Sequence, residues 1–320
     1  MSYATQSQTN ITVGQDLLER MVLSTLTTLP CCVFLFINGV MLFTLRSKTV
    51  FRETSRYILL FNLLLAETIQ MAVGQLLYLL AACRIRLTYP VCALIIMFSN
   101  LTNDISPVTL VVMSLERYVA VCYPLRHSTI ITIRNTVVAI IVVWTFSSLN
   151  VFTRVLLLLD FPFEDLESLQ MKDFCAEENI LLDQTSNDYD KAYTYCLFVS
   201  ASVAIICSYI SVMIAARSAS TGKTSAFKAR NTLMLHLVQL GLSLVSTMHN
   251  SFLGALSTIV TRTVLVRIQI FLYVFIVILP KCLSPLIYGL RDQTVRSSLV
   301  YQTCFHLKLS EITAKAEISP

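Results

Sequence analysis

Apolar residues run along this chain in long blocks, broken by short polar stretches. Seven blocks are long enough to cross a bilayer as a helix, which takes about 20 residues. They lie near Met21–Leu45, Tyr57–Ala82, Tyr89–Cys122, Asn135–Leu159, Tyr193–Ala216, Thr232–Val260 and Val264–Leu290. Period-2 alternation is absent, and barrel strands run only about 10 residues, so the blocks predict helices. The break between the last two rests on the short patch Thr261-Arg262-Thr263. The expected fold class is an all-α membrane protein, a seven-transmembrane helix bundle forming one domain over residues 1–320. Within it, residues 1–20 form a polar N-terminal segment, 21–290 the bundle and 291–320 a tail.

Charge sets the orientation. Only 13% of residues are charged, against about 25% in soluble domains. The net charge of +5 is not massed in any one patch, so nucleic acid is not an expected partner. Basic residues follow the first block (Arg46, Lys48, Arg52, Arg56), the third (Arg126, Arg134) and the fifth (Arg217, Lys223, Lys228, Arg230). Those loops are expected in the cytoplasm. The alternate loops carry fewer: Arg84 and Arg86, then Arg154, Lys172 and Lys191, then Arg262 and Arg267. The longest, residues 160–190, is acidic. The N-terminus is thus expected outside and the C-terminus inside. Residues 1–15 lack a basic start followed by an apolar core, so the first block is expected to act as signal anchor.

An outside N-terminus makes Asn10-Ile11-Thr12 a usable glycosylation sequon. In the tail, Val295, Leu299, Val300 and Phe305 have roughly helical spacing, which predicts a short amphipathic helix against membrane lipid. Cys304 near its end is either palmitoylated or free. Most of the 10 cysteines lie inside apolar blocks, and none has zinc spacing. Cys92 opens the third block and Cys175 lies in the acidic loop. An oxidising exterior favours a bridge between them.

Polar residues inside the blocks are the candidate chemistry, since they are costly there. Glu67 lies deep in the second block. Asn100, Asn103, Asp104 and Pro107 fall on one face of the third. Such a stripe faces either a cavity or neighbouring helices. Asp104 is 13 residues before Arg117, or about 20 Å along a helix, which is cavity depth. The sixth block carries His236 and, 13 residues on, His249 beside Asn250. His249 is expected near the level of Asp104. Each histidine is otherwise a satisfied interior group. No nucleophile–base pair or metal set suggests an enzyme.

The string Met113-Ser114-Leu115-Glu116-Arg117-Tyr118-Val119-Ala120-Val121-Cys122-Tyr123-Pro124-Leu125-Arg126-His127 resembles the MAYDRYVAICxPLxY signature of odorant receptors. That family belongs to the rhodopsin-like G-protein-coupled receptors. Further strings agree. Lys228 to His236 resembles KAxxTCxxH, with Leu233 in place of its Cys. Ser208-Tyr209 matches an element at the end of the fifth helix. Pro280 to Asp292 resembles PxxLNPxIYxLRN, with Ser284 in place of the Asn. The loop after the first block lacks the family's Pro-Met-Tyr, and such departures suggest a fish-like branch.

The resemblance implies a receptor for a small-molecule odorant that activates a heterotrimeric G protein, of the olfactory stimulatory type that raises cyclic AMP. Glu116, Arg117, Tyr118, Tyr209, His236, Pro285 and Tyr288 would serve coupling. Ser99, Asn100, Asn103, Asp104, Tyr193, Ser200, His249, Asn250 and Tyr273 would line the ligand pocket. Asp104, if charged, is expected to pair with a cationic ligand group or with His249. Glu67, Ser106 and Ser284, with Asn38 nearby, match positions that bind sodium in rhodopsin-like receptors. The alternative is a neutral Glu67 held by hydrogen bonds. No other cofactor is expected. A non-olfactory receptor for a peptide or amine is the second reading, and a channel or transporter the third.

Overall fold

The computed structural model describes residues 2–160, 170–171, 174–180, 183–219, 237–238, 240–257 and 259–281. Side chains are described from Met21 on, except at 178, 216–219, 250, 257, 262–263 and 266. The long helices are α1 (Ser2–Ser47), α2 (Ser55–Ala82), α3 (Tyr89–Cys122), α4 (Ile133–Leu159) and α5 (Gln184–Ala219). They are followed by α6 (His249–Ser257) and α7 (Arg262–Leu272). Residues 240–247 are also helical, and a π-helical turn, Tyr273–Ile278, continues α7.

Five stretches are long and apolar enough to cross a membrane: Met21–Ser47, Ser55–Ala82, Tyr89–Cys122, Ile133–Leu159 and Gln184–Ala215. They coincide with the first five blocks of the sequence. The sixth and seventh blocks lie partly outside the described residues.

Two helices, α1 and α5, begin more than two turns before their apolar blocks. α1 runs back through the polar segment, which has no proline before Pro30 to stop it. α5 starts at Gln184, nine residues before Tyr193, because Asp183 caps it. The Asp183 Oδ2 accepts the Thr185 N–H at 3.1 Å. The Thr185 hydroxyl and amide hold that carboxyl below its usual range. Hydropathy marks where a helix meets lipid; capping marks where it starts. α2 ends in a Schellman motif: Ile85 N–H reaches Leu80 O at 2.9 Å and Arg84 N–H reaches Ala81 O at 3.0 Å. Arg84 holds the left-handed position at φ 57°. Near the end of the chain's described part, Pro280 has no N–H for the carbonyl of Ile276, so the turn before it widens.

α3 is the central helix, packing on α2, α4 and α5, while α1 packs on α2. The π turn touches α1 and α6. Val199, Val203, Ile206, Ile210 and Ile214 form an exposed apolar stripe along α5. Asn38, Asn62, Glu67, Asp104, Asn150 and Arg154 are buried instead. Apolar outside and polar inside is the arrangement of a bundle solvated by lipid. Between these faces, Asn62 joins three helices: its Nδ2 donates to Thr109 Oγ1 at 3.1 Å, and its Oδ1 accepts from Trp144 Nε1 at 2.9 Å.

Cys92 and Cys175 are disulfide-bonded, with Cα atoms 5.6 Å apart. The bond draws the loop onto the first turn of α3. Gln170 bridges antiparallel to Thr88, and Met171 N–H donates to Leu87 O at 3.1 Å. Met171, Cys175 and Ile180 then bury against Cys92 and Ile96.

Candidate ligand site and coupling end

Beneath that loop the α3 stripe meets its neighbours. Asp104, 3% exposed, accepts from Asn150 Nδ2 of α4 at 2.5 Å. The other amide atom of Asn150, Oδ1, accepts from the Tyr189 hydroxyl of α5 at 2.9 Å. Asn100 Nδ2 donates to Glu177 Oε1 of the loop at 2.8 Å. Asn103 accepts from Gln70 of α2. Asn103 and Asp104 are thus bonded to neighbouring helices, and Asn100 is bonded to the loop.

Arg154 gathers the cluster. It lies inside α4 rather than in a loop, and is 8% exposed. Asn150 and Arg154 are four residues apart, on one face of that helix. The guanidinium Nη1 is 3.1 Å from Glu177 Oε1 and 2.5 Å from Asp190 Oδ1. It lies 5.9 Å from the Tyr193 ring centroid, and Asp104 is also in its field. One buried cation thus holds α4, α5 and the loop together. A cavity of about 20 Å³ opens among Ile96, Asn100, Arg154, Glu177, Ile180 and Tyr189. That is room for about one water molecule.

Other candidates fall elsewhere. Ser200 is exposed, and its hydroxyl donates to Leu197 O of its own helix at 3.1 Å. It turns away from the bundle because α5 presents its apolar stripe and Ser200 to the same side. Ser99 is part-buried, with its carbonyl accepting from Thr102 Oγ1 at 2.9 Å. His249 is buried against Tyr273, ring centroids 6.4 Å apart. Asp104 takes its hydrogen bond from Asn150 of α4 and His249 packs on Tyr273, so the structure does not bring the expected Asp104–His249 pair together. Asn250 is in α6, its side chain outside the described residues.

At the other end of α3, Arg117 Nε lies 3.5 Å from Glu116 Oε2, and His127 Nε2 lies 3.9 Å from Glu116 Oε1. Tyr118 packs edge-on against Tyr123, centroids 5.8 Å apart. Tyr209 belongs to the core cluster with Leu110, Met113, Leu240 and Leu244.

The sequence matches the family described as 7 transmembrane receptor (rhodopsin family) over residues 22–288. It belongs to that family. Among curated relatives, odorant receptor 131-2 of Danio rerio is 30% identical over 270 residues, 84% of this chain and 82% of the relative. The olfactory receptor-like protein OLF4 of Canis lupus familiaris is 26% identical, over 67% of this chain and 68% of its own. Olfactory receptor 1E16 of Mus musculus is 24% identical, over 68% of each.

In this rhodopsin-family chain Glu67 is fully buried, and neither carboxylate oxygen has a hydrogen-bond partner. Ser106 Oγ and both amide atoms of Asn38 are likewise buried and unpartnered. His236, Ser284, Pro285, Tyr288 and Cys304 lie outside the described residues. Sequence reasoning missed Asn150, Arg154, Glu177, Tyr189, Asp190, Gln70 and Lys281. For Arg154 and Lys281 the signal was present: each is a lone cation within an apolar run. Glu177 and Asp190 gave none, since acidic residues fill that loop.

Proposed function

We propose that this chain is an odorant receptor of the plasma membrane. A small-molecule odorant binds at the disulfide end, and the Arg117 end activates a heterotrimeric G protein that raises cyclic AMP. In this reading seven helices span the membrane, the N-terminus lies outside with a glycan on Asn10, and the tail lies in the cytoplasm. The names of the relatives and the family support the receptor class. The observation that carries the site is the buried cluster of Asp104, Asn150, Arg154, Glu177 and Asp190 under the pinned loop. A few oriented polar groups in apolar walls suit a small ligand. A cavity of about 20 Å³ holds no organic molecule, so an odorant seated in that cavity would draw Glu177 or α5 away from Arg154. Glu116 restrains Arg117 at rest, and agonist releases it.

A cyclic-AMP reporter in cells, screened against chemically diverse odorants, tests this reading. At least one odorant is expected to raise cyclic AMP with the native chain. Arg117→Ala is expected to abolish that response at equal surface expression. A full response from Arg117→Ala would remove its coupling role. Silence to every odorant, with a response to a peptide or amine, would replace the olfactory reading by the non-olfactory one.

A further inference from the structure

The segment that the disulfide pins runs along one face of α3. Cys92, Ile96 and Asn100 are spaced four residues apart on that helix. Cys175 is bonded to Cys92, Ile180 shares a buried cluster with Ile96, and Glu177 meets Asn100. A single oxygen of Glu177, Oε1, accepts from Asn100 Nδ2 at 2.8 Å and from Arg154 Nη1 at 3.1 Å. Donors from two helices, α3 and α4, thus converge on one carboxylate oxygen. The donors belong to the bundle, while the carboxylate is brought to them by a loop.

Without Glu177 the Asn100 amide would lose this acceptor and Arg154 one of its carboxylates. Another carboxylate in the same place would restore both bonds, one of them charge-assisted. Both donors line the cavity, beside the apolar side chains of Ile96, Leu157 and Leu158. A guanidinium and an amide in apolar walls suit the carboxylate of a small organic acid. Asp190 Oδ1 also lies 2.5 Å from Arg154 Nη1. Adding a further carboxylate would therefore pile negative charge around one buried cation, which is costly. Exchanging it for that of Glu177 leaves the charge of the cluster unchanged.

We propose that Asn100 Nδ2 and Arg154 Nη1 form a carboxylate-binding position, and that Glu177 is its tethered occupant at rest. The free carboxylate of a small organic acid binds there by exchange with Glu177. Tethering favours the loop, since a group on a short link is present at an effective concentration on the order of millimolar. Here the link is short, because Glu177 lies two residues from Cys175. The position stands on the geometry. Its use by an odorant rests on the receptor reading, in which an acidic ligand reaches Arg154 by this exchange.

Glu177→Ala removes Cγ and the carboxyl group, which together have the heavy atoms of acetate. The test unfolds the full chain thermally in lipid nanodiscs, in sodium acetate and in sodium chloride at equal concentration. In chloride, Glu177→Ala is expected to lower Tm by about 3–8 °C. Acetate is expected to recover much of that loss, more as its concentration rises. The native Tm is expected to be the same in both salts, because Glu177 already holds the position. Glu177→Gln, whose amide still fills it, should gain nothing from acetate. Acetamide, which lacks the charge, should rescue Glu177→Ala far less than acetate does. Neither odorant nor G protein enters, so a failed rescue leaves the receptor reading standing, and a silent odorant screen leaves a successful rescue standing. Absence of rescue, or equal rescue by acetamide, would overturn the proposal. So would a native Tm that rises in acetate as much as the variant's, or a rescue that survives Arg154→Met in the Glu177→Ala background. If Glu177→Ala does not fold, the native chain with its disulfide reduced reads the exchange instead. Acetate is then expected to speed hydrogen exchange over residues 174–180 relative to chloride, and equal rates would overturn the proposal.

Discussion

At the residue scale, Gly74 of α2 faces the Tyr273 side chain of the π turn. A Cβ on Gly74 would lie 2.9 Å from the Tyr273 hydroxyl, across a contact nothing local announces. Tyr273 packs against the buried cluster of Cys31, Met71 and Ile278, and its hydroxyl is buried. Gly74→Ala is expected to push that ring aside and to cost about 1–3 kcal/mol of stability, as overpacking usually does, read as a lowered Tm. Adding Tyr273→Phe removes the hydroxyl and should recover most of the loss, since the next nearest ring atom is at 3.8 Å. A double variant no more stable than Gly74→Ala would show that the hydroxyl is not the obstacle.

At the scale of elements the helices were legible and their ends less so. A block of about 20 apolar residues leaves no other structure in lipid. Starts moved outward where a cap or an unbroken polar helix prolonged the block, as at Asp183 and in α1. What joins element to element was hidden, because it rests on single polar residues. Arg154 links α4 to Asp190 on α5 and to Glu177 on the loop. Replacing it by Met keeps the stem's packing and strands two carboxylates in its site. The expected cost is about 3–5 kcal/mol, as for breaking a buried ion pair. Unfolding in denaturant measures it. Asp190→Asn should cost less, because Glu177 still answers the guanidinium. Equal stability for Arg154→Met and the native chain would mean that the cluster only positions groups for a ligand.

At the scale of the whole molecule, the disulfide pins one end of the bundle. The disulfide spans 83 positions of sequence and fixes the described part of its loop, residues 170–171 and 174–180, against α3. That pairing was legible, since compartment and topology left few options. The loop's second attachment was not. Glu177 enters beside Arg154 only two residues after Cys175, so the bond also delivers the carboxylate that closes the cavity. Removing it has two separable effects. Chain entropy predicts that Cys92→Ser with Cys175→Ser loses about 3–5 kcal/mol of stability. The freed loop should also let Glu177 leave Arg154, exposing the loop backbone around residues 174–180 to solvent. Hydrogen exchange reads that directly, peptide by peptide. Faster exchange is expected there and in the first turns of α5, which Arg154 holds through Asp190. The Asn62 junction of α2, α3 and α4 should stay protected. If exchange rose equally at both places, the disulfide would be supporting the bundle as a whole. If it rose at neither, the Glu177–Arg154 contact would be sufficient to hold the loop without the bond.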